Sequence, residues 1–267
     1  MTATPLRLAI NGASGRMGQA LLSLLQGDAR FDPAWATVSP ASRQLGVQVW
    51  PEHGLRYAAG WVDAPALDVV IDFSGPAGLA GALDHCLGHR LPLVVGSTGL
   101  DATQAVRLDA AAGHIAVLRA ANFSLGVAVL TRLLREASAA LRAWDLEIVE
   151  AHHGRKEDAP SGTALALGAA AAAARGTTLA QDAVYSREGR TGPRRTGSIG
   201  FAVVRGGDIV GEHQALLIGP GERLELAHRA TDRSVFARGA LEAAHWLVGK
   251  PAGHYDLDAM LAERVAG

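Results

Sequence analysis

The feature that most constrains the fold is an apolar strand followed by three spaced glycines near the start of the chain. Residues 6–10 read as a short buried strand, and Gly12, Gly15 and Gly18 follow before a helical run. In a dinucleotide-binding βαβ unit, such glycines let the backbone approach the pyrophosphate and let helix and strand pack closely. The pattern therefore predicts a nucleotide-binding loop. Its predicted cofactor-binding positions are Gly12, Ala13, Ser14, Gly15, Arg16 and Met17.

Strands and helices continue to alternate beyond this loop. Residues 68–74, 93–95 and 115–118 read as buried strands, and helical runs separate them. This alternation predicts an α/β fold with a doubly wound parallel sheet, a Rossmann domain, in which ligands lie beyond the carboxyl ends of the strands. The predicted cofactor-binding positions at those ends are Gly96, Ser97, Thr98, Ala120, Ala121, Asn122 and Phe123.

The end of the second strand bears on the choice of cofactor. An acidic residue there would bind the ribose hydroxyls of NADH, whereas the ribose phosphate of NADPH requires cations and hydroxyls. The chain carries Ser39, Ser42 and Arg43 and no acid at this point. The sequence therefore favours NADPH, with Ser39 and Arg43 as cofactor-binding candidates, and leaves NADH open.

The second half of the chain has a different pattern of strands and turns. Strand-like segments at 199–204, 209–218 and 224–227 are separated by short glycine-containing turns, which is typical of antiparallel sheets. We expect an α+β domain with a mostly antiparallel sheet. The predicted division is a dinucleotide-binding domain over 1–122, with the helices of 235–267 packing back on it, and a second domain over 123–234.

A polar segment at 150–164 concentrates the groups that can move protons. His152 and His153 follow a strand, and Lys156 is one of only two lysines among 25 cationic residues. Lysine and histidine can transfer protons near neutral pH, whereas arginine stays protonated. Pro160 marks a helix start that Asp158 or Ser161 could cap, and a helix start binds carboxylate or phosphate. The segment therefore predicts an anion site with proton donors at its rim.

Composition and spacing exclude several other classes of function. A net charge of −1 gives no reason to expect nucleic acid, and no apolar run reaches membrane-spanning length. A single cysteine rules out an intramolecular disulfide, and the first residues leave no room for a signal peptide before the strand, so we expect a cytoplasmic protein. No metal is predicted, because the polar segment has neither a His-x-x-x-His spacing nor a cysteine pair.

Seven segments resemble one enzyme family in order along nearly the whole chain. They are residues 12–18, 70–74, 96–99, 121–124, 150–164, 185–189 and 207–213. Among them, Glu-Ala-His-His-x-x-Lys-x-Asp-Ala-Pro-Ser-Gly-Thr-Ala is highly specific. The chain resembles the 4-hydroxy-tetrahydrodipicolinate reductases, also called dihydrodipicolinate reductases, of the diaminopimelate route to lysine.

The resemblance implies roles for individual residues. Members of the family reduce a cyclic unsaturated dicarboxylate with NADH or NADPH, and they are usually homotetramers built through the sheet of the second domain. The resemblance therefore implies that 123–234 is the substrate-binding and oligomerisation domain. The matching proton donor and acceptor is His152, and the matching general acid is Lys156. His153, Gly162 and Thr163 match the residues that hold the substrate carboxylates. Many members carry an acid followed by arginine where this chain has Ser39 and Pro40, so the resemblance leaves the cofactor preference open.

Three alternatives are less consistent with the sequence. An aspartate-semialdehyde dehydrogenase needs a thiolate, and Cys86 lies in a helical apolar run of the first domain. A serine hydrolase would require a Gly-x-Ser-x-Gly elbow, which the sequence around Ser161 does not provide. A nicotinamide-sensing regulator without catalysis is the remaining alternative, and the intact pair of His152 and Lys156 argues against it.

Overall fold

The computed structural model describes residues 4–266, which form two compact units. One unit contains the residues up to Leu125 together with those from Ser234 onward, and the other is Gly126–Arg233. The strands are β1 (Leu6–Asn11), β2 (Phe31–Thr37), β3 (Gln48–Trp50), β4 (His53–Ala58), β5 (Val69–Asp72), β6 (Leu93–Val95), β7 (Ala116–Arg119), β8 (Asp145–His152), β9 (Ala183–Val184), β10 (Ile199–Arg205), β11 (Gly211–Gly219), β12 (Glu222–Ala230) and β13 (Gly253–Tyr255).

Helices connect several of these strands. They are α1 (Arg16–Leu25), α2 (Pro76–His89), α3 (Ala102–Ala111), α4 (Leu125–Ala140), α5 (Gly162–Ala174), α6 (Leu179–Asp182), α7 (Ser234–Leu247) and α8 (Leu257–Ala266). Within residues 4–266, no helix is both long and apolar enough to span a membrane.

The sheet of the first unit has the strand order β13-β7-β6-β5-β1-β2-β4-β3. All its pairings are parallel except that of β3 with β4. Every residue of β5 and β6 is buried, as expected for parallel strands covered on both faces by crossover helices. The predicted α/β fold with a doubly wound parallel sheet is confirmed, and the nucleotide loop follows the central strand β1.

The sheet of the second unit has the order β12-β11-β8-β10-β9 and is mixed, where we expected a mostly antiparallel sheet. Its β11 pairs antiparallel with β8 and β12, while β10 pairs parallel with β8 and β9. The chain leaves β8 through α5 and α6, and this helical crossover returns β9 in the direction of β8; the connection over 185–198 then brings β10 between them in the same direction. Only a short turn separates β10 from β11, yet β8 lies between them.

Alternation along β8 fixes the core of the second unit. Leu146 and Ile148 are fully buried and pack in one cluster with Leu167 and Ala171 of α5. The many alanines of α5 let the helix lie close to the sheet, and Gly168 leaves room for the ring of Phe201. This packing sets the start of α5 beside the end of β8, where the predicted proton-transfer residues lie.

Candidate active site

Glycine geometry shapes the loop between β1 and α1. Gly12 has a φ of +83°, and a Cβ at this position would lie 2.7 Å from both the N and Cα atoms of Ser74. Gly15 occupies the N-cap of α1, so no side chain covers the free amide groups of the first turn. These amides and the positive end of the helix dipole can bind an anion.

A cleft of about 490 Å³ lies beside this loop within the first unit. Its lining residues are Asn11, Gly12, Ser14, Gly15, Thr37, Val38, Ser39, Pro40, Gly60, Trp61, Phe73, Ser74, Ala77, Gly78 and Gly81. Of the other predicted loop positions, Ala13 is fully buried, Arg16 is exposed and Met17 is half-buried. Arg43 is exposed in the segment after β2, outside this lining.

A buried polar network supports the floor of the cleft. The Asp72 carboxylate accepts hydrogen bonds from Asn11 Nδ2 (2.6 Å), Ser74 Oγ (2.6 Å) and Ser97 Oγ (2.5 Å). The Thr37 hydroxyl donates to the amide oxygen of Asn11. Burial raises the pKa of Asp72, although the three side-chain hydrogen bonds act in the opposite direction. The network ties the carboxyl ends of β1, β2 and β5 to the segment after β6.

This network uses the hydroxyl of one residue that we predicted to bind the cofactor. Ser97 is only 6% exposed, and its Oγ also accepts a hydrogen bond from the amide of Gly75 at 2.8 Å. Its side chain is therefore hydrogen-bonded within the interior of the unit, and only the backbone of Ser97 remains to contact a ligand. Thr98, which follows, is exposed.

The segments after β6 and β7 meet at one aromatic residue of the cleft. A Cβ on Gly96 would overlap the ring of Phe73, and the Phe123 ring lies edge-on to Phe73 with their centroids 5.5 Å apart. Phe123 itself is buried, while Asn122 accepts a hydrogen bond from the amide of Ser124. The remaining predicted positions here are Ala120, half-buried, and Ala121, exposed.

The first unit therefore fits a dinucleotide on structural grounds. The cleft is lined by the carboxyl ends of β1 and β2 and by the segment after β5, and it includes an uncapped helix start and a glycine loop that lies against Ser74. These are the features that a doubly wound domain presents to a pyrophosphate and its two nucleosides.

A second cluster of functional side chains lies at the end of β8 in the other unit. His152 Nδ1 lies 2.6 Å from Glu150 Oε2, and both oxygens of Glu150 accept hydrogen bonds from Arg205, at 2.8 and 2.9 Å. Burial acts to raise the pKa of Glu150, but the hydrogen bonds from Arg205, His152 and the Ser161 amide together outweigh it and lower that pKa. Glu150 is thus a buried, ionised carboxylate.

The same carboxylate reaches the start of α5. The amide of Ser161 donates to Glu150 Oε1 at 2.9 Å, and the Ser161 hydroxyl accepts from the amide of Ala164 at 3.2 Å. Ser161, not Asp158, is therefore the N-cap of this helix. Gly162 and Thr163 form the first turn, and Gly162 is exposed with open space where a Cβ would be.

Lys156 and His153 border this helix start. Lys156 Nζ donates to both carboxylate oxygens of Asp158, at 2.7 and 2.9 Å, and this bond lowers the pKa of Asp158. Desolvation lowers the pKa of His153, and the charges of Arg233 and Arg155 lower it further. The Nδ1 of His153 is buried and has no hydrogen-bond partner among the described residues. The surroundings are cationic and suit an anionic ligand.

His213 completes the cluster as a buried histidine. Its Nε2 lies 3.0 Å from the Ser161 hydroxyl, and its ring is perpendicular to that of His152 with centroids 5.2 Å apart. Burial lowers its pKa to about 4, and the neighbouring charge of His152 acts in the same direction. His213 is therefore neutral in the folded protein near neutral pH.

The low pKa of His213 predicts that the protein loses stability in mild acid. In the unfolded chain the imidazole takes up a proton near pH 6.5, whereas the folded protein excludes that proton down to about pH 4. The contribution is complete above pH 6.5 and is lost as the pH falls to 4, by roughly 3 kcal/mol in all. Urea unfolding at several pH values would measure this loss.

The matched variant is His213→Gln, whose amide can still bond Ser161 and does not titrate. Its stability should fall less than that of the wild type between pH 6.5 and 4. Equal slopes for the two proteins would contradict a buried neutral His213.

Several residues of these two networks carried no predicted role. They are Asn11, Asp72, Glu150, Arg205 and His213, and Trp61, which lines the cleft, likewise carried none. One signal was available for Glu150, because strand alternation places it on the same face as His152, two residues later. Arg205 and His213 come from strands on either side of β8, and no spacing in the sequence indicates those pairings.

A nucleotide cleft on a doubly wound sheet and a histidine–lysine cluster on a second sheet define a dinucleotide-dependent enzyme of two domains. Comparison with known families identifies which one. The family model described as "Dihydrodipicolinate reductase, N-terminus" matches residues 6–123, and "Dihydrodipicolinate reductase, C-terminus" matches residues 126–261.

Relatives named 4-hydroxy-tetrahydrodipicolinate reductase match almost the full chain. That of Caulobacter vibrioides is 46% identical over 260 residues, covering 96% of this chain and 97% of the relative. That of Xanthomonas campestris pv. campestris is 49% identical over 255 residues, with the same coverage. Among solved structures, dipicolinate-bound dihydrodipicolinate reductase from Paenisporosarcina sp. TG-14 has a TM-score of 0.75 at 21% identity, covering 94% and 97% of the two chains, which shows a shared fold.

The chain belongs to the dihydrodipicolinate reductase family. It is an NAD(P)H-dependent oxidoreductase, and the resemblance inferred from its motifs is confirmed.

Proposed function

We propose that the protein reduces 4-hydroxy-tetrahydrodipicolinate to tetrahydrodipicolinate in lysine and diaminopimelate biosynthesis, with the hydroxyl group leaving as water, Lys156 as general acid and His152 as proton relay. The observation that carries the proposal is the cluster at the end of β8, where a histidine, a lysine and the start of α5 occur together. These groups suit a dicarboxylate that must be held by its charges and protonated.

Substrate binding uses the positive end of α5 and the cations beside it. Gly162 and Thr163 would hold one carboxylate at the first turn of the helix, where an anion is favoured by the dipole. His153 would contribute a hydrogen bond through its ring. Its unpartnered buried Nδ1 and the neighbouring charges of Arg155 and Arg233 support an anionic ligand at this point.

Proton delivery is assigned to Lys156 and His152. Lys156 is held by Asp158 as an ammonium group, so it carries a proton to donate and a charge that attracts the substrate. His152 bonds Glu150 through Nδ1, which leaves Nε2 for relay. The reduced nicotinamide, when bound, supplies a hydride to the ring.

The cofactor would lie in the cleft of the first unit, and we propose NADPH as the preferred form. The glycine loop of residues 12–17 would hold the pyrophosphate, and residues 96–98 and 120–123 would border the nicotinamide. Ser39 lines the cleft at the end of β2, and no acidic residue lines the cleft there to repel a ribose phosphate. Arg43 would approach from the same exposed segment.

The function is tested by the loss of nicotinamide absorbance when the purified protein meets cyclic substrate made by condensing pyruvate with aspartate semialdehyde. NADPH and NADH are run in parallel. The expected result is turnover that requires the cyclic compound, with a lower KM for NADPH. Cofactor binding without turnover would instead favour a nicotinamide-sensing regulator.

We further propose that the protein is a homotetramer built through the second sheet. Exposed apolar side chains on its strands, among them Val204 and Ile218, lie on the face opposite the one that packs on α5, and they support a face that another copy would cover. Sedimentation equilibrium is expected to give four times the mass of the chain. A monomer at micromolar concentration would contradict this assembly.

A further inference from the structure

Glu150 lies at the centre of the cluster at the end of β8, and His152 is the one residue with a proposed role whose side chain is hydrogen-bonded to it among the described residues. It is 1% exposed, and it accepts hydrogen bonds from His152, Arg205 and the amide of Ser161. We propose that Glu150, held by Arg205, is a positioning residue that fixes the tautomer of His152 and ties this histidine to the start of α5. This inference rests on the proposed role of His152 as proton relay.

The hydrogen-bond pattern determines where His152 carries its proton. An ionised carboxylate can only accept, so the 2.6 Å contact with Glu150 requires a hydrogen on His152 Nδ1. Neutral His152 must then present the lone pair of Nε2. A carboxylate that sets the tautomer of a histidine in this way leaves the other nitrogen ready to take a proton.

Arg205 holds the Glu150 carboxylate in one orientation. Each carboxylate oxygen takes one bond from the guanidinium and one from a second donor, His152 Nδ1 on Oε2 and the Ser161 amide on Oε1. The same guanidinium donates to the carbonyl of Asp158 at 2.7 Å, in the loop that carries Lys156. Arg205 lies directly beside His152 in the register of β10 with β8, so the two strands hold the arrangement.

Gly211 leaves space beside the Nε2 edge of the His152 ring. A Cβ at Gly211 would lie 3.1 Å from His152 Nε2, so a larger residue on β11 would crowd this nitrogen. The ring also faces His213, whose Nε2 is engaged by the Ser161 hydroxyl at 3.0 Å and not by Glu150. Every neighbour of His152 in the cluster is thus compatible with a proton on Nδ1 and a free lone pair on Nε2.

Glu150→Gln is the variant that tests the positioning role. Glutamine replaces one of the two carboxylate oxygens by an NH₂ group. At the position of either oxygen, this NH₂ group would face two hydrogen-bond donors, where the wild type has an acceptor. Only His152 can adapt, by accepting at Nδ1 and moving its proton to Nε2, because the guanidinium and the Ser161 amide are obligate donors. We expect the variant to shift His152 to the Nε2-protonated tautomer and to lower kcat by about 10- to 100-fold, part of the contribution of a general acid–base group.

The tautomer is read by ¹⁵N NMR of histidine-labelled protein, with the His152 signals assigned by their loss in His152→Asn. Wild type should show the Nδ1-protonated form, and Glu150→Gln should show the other form with unchanged NADPH affinity. The control is Glu242→Gln, whose carboxylate is also bonded by two arginines, Arg30 at 2.7 Å and Arg264 at 2.5 Å. This control should alter neither the tautomer nor kcat.

Two outcomes would overturn the inference. One is an Nε2-protonated His152 in the wild type, which needs no variant and no turnover to observe. The other is a folded Glu150→Gln protein with the wild-type tautomer and kcat. A failure of the proposed reaction would be seen separately, as absence of turnover in the wild type while the tautomer remained measurable.

Discussion

Lys156→Ala is expected to lower kcat by about 10²- to 10⁴-fold, the usual contribution of a positioned general acid. Its Nζ is bonded only to Asp158 among the described residues, and the side chain lies at the surface of the cluster. Removing it therefore costs little folding energy, because an exposed pair contributes about 0–1 kcal/mol. Stopped-flow and steady-state kinetics would give the loss, and circular dichroism would verify the fold.

The chain supplies a matched control in its other lysine. Lys250 pairs with Glu263 at 2.6 Å and lies over the Trp246 ring in the first unit. Lys250→Ala should leave kcat unchanged. Lys156→Arg keeps the charge without a transferable proton, so it should retain part of the substrate affinity and little of the turnover. A Lys156→Ala enzyme with near-wild-type kcat would remove Lys156 from the chemistry.

Gly12→Ala is the second change with a large expected effect, and it acts on the first unit. The φ of +83° disfavours any residue with a Cβ, and the added methyl would meet the backbone of Ser74 at 2.7 Å. A left-handed conformation costs about 1–2 kcal/mol, and overpacking adds about 1–3 kcal/mol. The loop or the Ser74 segment must therefore move, and we expect dinucleotide affinity to fall by tenfold or more, as about 1.4 kcal/mol would produce.

Isothermal titration with NADPH and thermal unfolding would measure both effects. The control is Gly88→Ala in α2, a helical glycine with open space around it and no positive φ. It should bind NADPH normally and gain a little stability, because alanine favours helix over glycine by about 0.5–1 kcal/mol. Unchanged NADPH affinity in Gly12→Ala would show that the loop does not shape the cofactor site.

The first unit could be predicted in detail because its signals are local. The buried strands β5 and β6 are continuous apolar runs, and Gly12, Gly15 and Gly18 mark the turn after β1. The mixed second sheet was not predicted, since the short turn between β10 and β11 suggests a hairpin. The position of β8 between β10 and β11 depends on the crossover through α5. This is long-range strand pairing, which local sequence does not determine.

The residues of the site likewise divide into those that local sequence predicts and those that it does not. Strand alternation and the cap chemistry of Ser161 indicate where His152 and the start of α5 lie, and both are local properties. The partners of Glu150 could not be predicted, because Arg205 reaches it from 55 positions away through strand pairing. The internal bond of Ser97 could not be predicted either: a hydroxyl at a strand end suggests a ligand contact, and here it is bonded to buried Asp72, which leaves the backbone of Ser97 for the ligand.

The most direct test of the proposed reaction is mass spectrometry of the product formed with NADPH deuterated at the transferable position. The protein should convert the cyclic substrate into tetrahydrodipicolinate carrying one deuterium, because a hydride passes from the nicotinamide to the ring. Product without deuterium, or no product from a protein that binds NADPH, would contradict the assignment of a reductase that acts on this dicarboxylate.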